Sequence, residues 1–269
     1  FDPQAVMAVV PADSCIHDAA AYRRVVRDAL ALAGRQDVLI TMGIQPTSPH
    51  TGYGYIQLGE PVESVAGSDA RRPRFGTLFR RARRFVEKPD RATAEQFLAS
   101  GDYRWNAGMF VWSLRAIAAA FERHQPAMWE ICQRIGKAAG SRRFSRVLRR
   151  EYPRFEKISV DYAIMEKANN VVVAEGTFDW DDVGHWPALA AHMVADSAGN
   201  VVRGAFAGVD AANCVVVGDD RHLIGLVGVR DLVVVHTPDA TLVCPKEQAQ
   251  KVRDLVKKLG KERRYRSYI

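Results

Sequence analysis

Cysteine is scarce in this chain and scattered. Cys15, Cys132, Cys214 and Cys244 stand far apart and form no CxxC pair. That spacing argues against a zinc site and a disulfide framework, and fits a reducing cytoplasm. Long apolar runs are missing too, and none approaches the roughly 18 residues that a membrane span requires. Neither a signal peptide nor a transit peptide pattern is visible. The chain contains no GxGxxG and no GxxxxGK(S/T), so neither common phosphate-binding fingerprint applies. No low-complexity linker divides it.

What is present is the composition of a globular protein. The 269 residues are 48% apolar and 26% charged, enough for one large domain or one with a smaller appendage. The net charge of +7 is concentrated locally. Arg71, Arg72, Arg74, Arg80, Arg81, Arg83 and Arg84 crowd one segment, expected to be a surface hairpin, and residues 257–266 form a second basic cluster. Neither cluster carries the interleaved aromatics that stack on bases, so both read as solvated faces, with no nucleic-acid or membrane partner expected.

Taken in order, the first 195 residues alternate strand and helix patterns. The apolar run 5–10 reads as a buried parallel strand, ended by Pro11, with Asp13 just beyond. Open α/β sheets place ligand-binding groups at such strand ends, although Asp13 could equally cap the helix expected over 19–33. A strand over 37–41 leads into a loop with Gly52 and Gly54, which permit a close approach of backbone to ligand. Residues 84–86 form a strand that delivers Glu87 and Lys88 at its end, either an ordinary turn or groups for sugar hydroxyls and a phosphate. Asp90 should cap a helix reaching residue 100. Strand 105–112 carries one polar side chain, Asn106, which needs a partner from protein or ligand. Helical patterns cover 114–125, 127–139, 144–152 and 160–167, and a strand over 170–174 follows. These elements predict an α/β layered sheet with helices on both faces. Beyond Gly199 short valine-rich strands separated by Gly, Asp and Asn turns predict a small, solenoid-like β unit, closed by a helix over 246–259. The expected domains are 1–197 and 198–269.

The most unusual stretch is Phe178-Asp-Trp-Asp-Asp-Val-Gly-His-Trp186, with three Asp among the four positions 179–182 and two Trp, at 180 and 186. Carboxylates in a loop after a strand suit a hard cation such as Mg²⁺. The plainer alternative is that Asp181 or Asp182 caps the helix expected over 187–194 while the tryptophans are core.

Several stretches, in this order, resemble one family: Val10-Pro-Ala-Asp13, Gly43-Ile-Gln-Pro-Thr47, Thr51-Gly-Tyr-Gly-Tyr-Ile56, Phe85-Val-Glu-Lys-Pro89, Trp105-Asn-Ala-Gly-Met-Phe110, Ser159-Val-Asp-Tyr-Ala-Ile-Met-Glu-Lys167 and Trp180-Asp-Asp-Val-Gly184. Asn213-Cys-Val-Val-Val217 and Asp239-Ala-Thr-Leu-Val243 match its C-terminal region. The chain resembles the bacterial-type mannose-1-phosphate guanylyltransferases of the sugar-phosphate nucleotidyltransferase superfamily. The resemblance implies transfer of GMP from GTP to mannose 1-phosphate, giving GDP-mannose and pyrophosphate. It also implies that Asp13 and Asp182 hold Mg²⁺, that Tyr53, Gly54, Glu87 and Asn106 bind the sugar, and that Lys88 contacts the phosphate. A homodimer in the cytoplasm is expected. Two departures stand out. Ser14 occupies a position where the family usually has His, and the family's glycine-rich loop with its Arg and Pro-Lys pair has no counterpart, so an N-terminally truncated piece, inactive alone, is expected. The alternatives are another sugar-1-phosphate nucleotidyltransferase, or a non-catalytic sugar-phosphate-binding or assembly subunit.

Overall fold

The structure, a computed structural model, describes residues 2, 5–62, 75–184 and 186–268. Arg71, Arg72 and Arg74 of the expected arginine hairpin lie outside them. Two compact units emerge. The first holds residues up to 12 and from 16 to 180; the second holds 13–15 and the chain from 181 on. Compactness thus divides the aspartate stretch, with Asp181 and Asp182 grouped with the C-terminal residues, while the sequence pattern puts the boundary near 197.

The first unit is built on one six-stranded sheet: β1 (Val6–Val9), β2 (Leu39–Ile44), β3 (Gly54–Pro61), β4 (Phe79–Glu87), β5 (Tyr103–Ser113) and β6 (Val171–Gly176). Its order is β1-β5-β2-β6-β4-β3, and β3 also pairs with the start of β5. The sheet is mixed and not mostly parallel: β2 and β6 run parallel, but β5 lies antiparallel between β1 and β2, and β4 antiparallel to both neighbours. The expected burial of the first strand is also corrected. β1 is the outermost strand in the order, and Met7, Val9 and Val10 are all exposed. An apolar run reports only hydrophobicity; a neighbour on each side is needed to bury it.

Alternation along the strands sorts side chains to two cores. On one face Ile40, Met42, Val172 and Ala174 meet α1 (Ala19–Ala33) and α2 (Arg91–Ser100) through Val25, Ala29, Leu32, Ala94 and Phe97. On the other, Leu39, Phe110, Trp112 and Val171 meet α3 (Leu114–His124) through Ala116, Ile117 and Ala120. Each buried aliphatic side chain contributes about 1.5–3 kcal/mol, which holds helices on both faces, as the alternation of strand and helix patterns predicts. Asp90 caps α2 as expected, accepting from Thr93 N at 2.8 Å. Asp18, and not Asp13, caps α1, accepting from Ala21 N at 2.9 Å. α4 (Pro126–Ala138) and α5 (Phe144–Glu151) form a hairpin pinned by the buried Glu151. The helix expected over 160–167 is instead a π turn, Asp161–Met165, burying Ala163, Ile164 and Met165.

In the second unit α6 (Trp186–Ala191) is shorter than the 187–194 pattern suggested. β7 (Val201–Arg203), β8 (Phe206–Val209), β9 (Val215–Val217), β10 (Ile224–Val227), β11 (Leu232–His236) and β12 (Thr241–Pro245) follow. β7, β9 and β11 stack in parallel, as do β8 and β10, which is the rung pattern of a solenoid. β12 turns back antiparallel on β11 and ends the stack. The closing segment is a 3₁₀ turn, Lys246–Lys251, followed by α7 (Val252–Lys261).

Candidate active site

Strand register assembles the sugar-side residues within the first unit. Gly54, at the start of β3, pairs with Glu87, at the end of β4. Asn106 of β5 pairs with Gly43 of β2, and neighbouring Trp105 pairs with Tyr55 of β3. Three strands, β3, β4 and β5, therefore deliver the predicted residues to one place. A Cβ built on Gly54 would overlap Glu87 Oε2 and approach Asn106 Cβ to 3.4 Å, so only glycine leaves room for the carboxylate. Lys88 Nζ is ion-paired with Glu87 Oε1. Its backbone N–H donates to Tyr53 O at 3.3 Å, and its φ of 48° puts a non-glycine residue in the left-handed region. Such strain persists only where surroundings over-determine it, and it clusters at ligand sites. The Tyr53 ring stacks on His50 at 3.8 Å and meets Trp105 and Trp180 edge-on, each at 5.1 Å. Trp180 of the aspartate stretch is thus the wall of an aromatic cluster.

Asn106 is held on both sides. Its Oδ1 accepts from Thr41 Oγ1 at 2.9 Å and from Gly108 N at 3.2 Å, and its Nδ2 donates to Asp161 Oδ1 at 2.8 Å. Burial raises the Asp161 carboxyl above its ordinary value, with the Asn106 hydrogen bond opposing and the Glu87 charge adding to the rise. Glu166 is raised as well, first by burial and then by Glu87 and Asp161. The carboxyl groups of Glu87, Asp161 and Glu166 therefore lie close enough to act on one another, with Lys88 paired to Glu87 and Lys167 beside Glu166, a set rich in acceptors for hydroxyls with cations for an anionic group.

Asp13, Asp181 and Asp182 belong to the second unit. Cys15 and Asp181 form an antiparallel bridge: Cys15 N donates to Asp181 O at 2.8 Å and Asp181 N to Cys15 O at 3.1 Å. The bridge lays the segment carrying Asp13 alongside the segment carrying Asp182. The two adjacent acids differ in their bonding. Asp181 accepts from Val183 N at 2.9 Å and pairs with His192 Nε2 at 3.1 Å. Asp182 accepts from Gly184 N at 3.1 Å. Val183, which follows them, has φ 47°, a costly conformation for a β-branched residue. The buried Ser14 Oγ has no hydrogen-bond partner among the described residues. Asp13 and Asp182 offer only hard oxygen donors, a set that fits a divalent cation such as Mg²⁺.

Asp161 and Thr41 were missed as site residues by sequence reasoning. The signal for Asp161 was a lone acid opening an apolar segment, and Thr41 reads simply as part of a buried strand. Asp179 closes the entry to α1: it accepts from Asp18 N at 2.7 Å and pairs with His17 Nδ1 at 2.5 Å.

Comparison with known proteins fits this arrangement. Residues 1–199 match the nucleotidyl transferase model, and residues 199–259 match a mannose-phosphate isomerase/GMP-like β-helix domain. The Xanthomonas campestris xanthan biosynthesis protein XanB is 37% identical over 94% of this chain and 51% of its own length. A Klebsiella pneumoniae mannose-1-phosphate guanylyltransferase is 36% identical over 96% of this chain and 53% of its own. A solved Thermus thermophilus structure, described as a mannose-1-phosphate geranyltransferase, superposes with a TM-score of 0.75 at 38% identity, covering 94% of this chain and 69% of that one. The chain spans about half the length of the curated relatives it matches. With a family model covering most of the sheet-bearing residues and a solved relative sharing both fold and sequence, the chain belongs to the nucleotidyl transferase family.

Proposed function

We propose that this chain forms part of a mannose-1-phosphate guanylyltransferase, which transfers GMP from GTP to mannose 1-phosphate and releases pyrophosphate. The observation that carries the reading is the register that brings Gly54, Glu87 and Asn106 together beside Lys88. Glu87 and Asn106 would bind sugar hydroxyls, Tyr53 and Gly54 would supply wall and backbone, and Lys88 would face the phosphate. That phosphate is already an anionic nucleophile, so positioning and charge neutralisation suffice without a strong general base. One of its oxygens bonds to the α-phosphorus of GTP as the bond to the bridging oxygen of pyrophosphate breaks. Asp13 and Asp182 would hold Mg²⁺, which when bound neutralises phosphate charge. Domain limits near residue 197, a homodimer and a cytoplasmic setting complete the reading. The scattered cysteines support that setting, and exposed Val209 and Val227 on the paired strands β8 and β10 support self-association.

Calorimetric titration of the chain with mannose 1-phosphate and, separately, glucose 1-phosphate tests the substrate. Preference for the mannose compound supports the proposal. Preference for glucose 1-phosphate would favour a related nucleotidyltransferase, and uptake of neither would overturn the sugar-phosphate reading.

A further inference from the structure

The carboxamide of Asn106 is a symmetric-looking group whose orientation decides what it offers a ligand. Two single-role neighbours settle that orientation. The backbone N–H of Gly108 can only donate, and it meets Oδ1 at 3.2 Å; the Asp161 carboxylate accepts, and it meets Nδ2 at 2.8 Å. Turning the amide over would set donor against donor and oxygen against oxygen. Thr41 Oγ1, fully buried, adds a second donor to Oδ1 at 2.9 Å. The Gly108 contact itself depends on backbone geometry. Between the pairs Thr41–Phe110 and Gly43–Asn106 the register shifts, and Gly108 adopts φ 65° there, which turns its N–H back toward Asn106. Asp161 comes from the π turn, an uncommon element that often marks a functional position.

We propose that Asp161 is a positioning residue that fixes Asn106 as a donor-only group, set beside Glu87 as an acceptor. Both Oδ1 acceptances are used by protein, so Asn106 faces a ligand with its remaining Nδ2 hydrogen. A Cβ built on Gly54 would overlap Glu87 Oε2 and come within 3.4 Å of Asn106 Cβ, so the Glu87 carboxylate lies beside the root of the Asn106 side chain. The favoured hydroxyl accepts from Asn106 and donates to Glu87. A fluoro substituent can accept but not donate, and a deoxy position can do neither. Asp161 therefore sets specificity through Asn106 without touching the sugar. This rests on the sugar-phosphate reading of the pocket, so one arm of the test is free of ligand.

In the ligand-free arm, the Asn106 side-chain amide is followed by ¹⁵N NMR in the full 269-residue chain, assigned by its loss in Asn106→Asp. Wild type should show a slowly exchanging amide proton, Asp161→Ala should lose it, and Asp161→Asn, which keeps an acceptor oxygen, should retain it. In the ligand arm, Asp161→Ala should bind mannose 1-phosphate about ten- to hundredfold more weakly, with Asp161→Asn close to wild type. Across single-position deoxy and fluoro analogues, the change that costs wild type most should cost Asp161→Ala least. A protected amide in Asp161→Ala overturns the positioning role, as does equal loss in the Asn and Ala variants or affinity loss that merely follows melting temperature. If wild type shows the protected amide yet takes up no mannose 1-phosphate, the positioning stands and the substrate reading falls.

Discussion

Cys15 and Asp181 exchange two backbone hydrogen bonds, at 2.8 and 3.1 Å, although 166 positions of sequence separate them. That small bridge is what sets Asp13 and Asp182 on adjacent segments. Asp182→Asn and Asp13→Asn should each weaken Mn²⁺ binding, read by electron paramagnetic resonance, by at least the roughly tenfold that loss of even an outer-sphere partner costs. Asp181→Asn should instead lower the melting temperature, since it loses charge opposite His192. If Asp181→Asn abolishes Mn²⁺ binding and Asp182→Asn does not, the wrong aspartate has been assigned.

Gly54→Ala should fold and yet bind sugar phosphate poorly. The added methyl would occupy the space of Glu87 Oε2, a movable side-chain tip, so the carboxylate shifts and the fold survives. Calorimetry should show affinity for mannose 1-phosphate falling about tenfold or more, as expected when a hydrogen-bonding partner is displaced. Unchanged affinity would mean that Glu87 makes no contact with the ligand.

Asp179→Asn should destabilise the chain in a pH-dependent way. The Asp18 N–H, working against burial and helped by the His17 ring and N–H, holds the Asp179 carboxyl at about 2 where the ordinary value is 3.8. A depressed folded value contributes stability above the ordinary value that is lost as pH falls from about 4 to about 2. Melting temperatures of variant and wild type should differ at neutral pH and converge across that window. Mn²⁺ affinity should not move.

Glu151→Gln tests the helical hairpin. The carboxylate is almost wholly buried and takes hydrogen bonds from Arg150 at 2.8 Å and from Arg134 and Arg154 at 3.0 Å. Burial alone would raise its pKa, but the three guanidinium groups outweigh it and lower it below the usual glutamate range. Its stabilisation is present above that range and lost as pH falls through the depressed value. The glutamine variant should melt lower at pH 7, with the gap narrowing toward acid. A gap independent of pH would show that charge is not what holds the hairpin.

Gly108→Ala should cost about 1–2 kcal/mol, the penalty of a Cβ in the left-handed region. Space is not the obstacle, because the nearest atom a Cβ would meet is Pro11 Cγ at 3.9 Å. A denaturant melt measures the loss, and a neutral result would mean that the β5 register relaxes freely.

The sequence alone carried the alternation of strands and helices, the change of character after Gly199, and the strand-end positions of Glu87 and Lys88. These are local properties: hydrophobic period, turn residues and caps act over a few positions. It also contained the motifs that relate the chain to its family. Strand direction was not local. An apolar run such as that of β5 packs equally well parallel or antiparallel, and only the partners it meets choose. The exposure of β1 likewise depends on what lies beside it. The tertiary structure alone decided that Asp161 turns to Asn106, that Thr41 and Gly108 fix the other side of that amide, and that Asp181 pairs with His192. Hydrogen bonds between residues 55 or 65 positions apart leave no period in a sequence; they exist because the sheet register, and the packing of the π turn against the sheet, bring their donors and acceptors within hydrogen-bonding distance of one another.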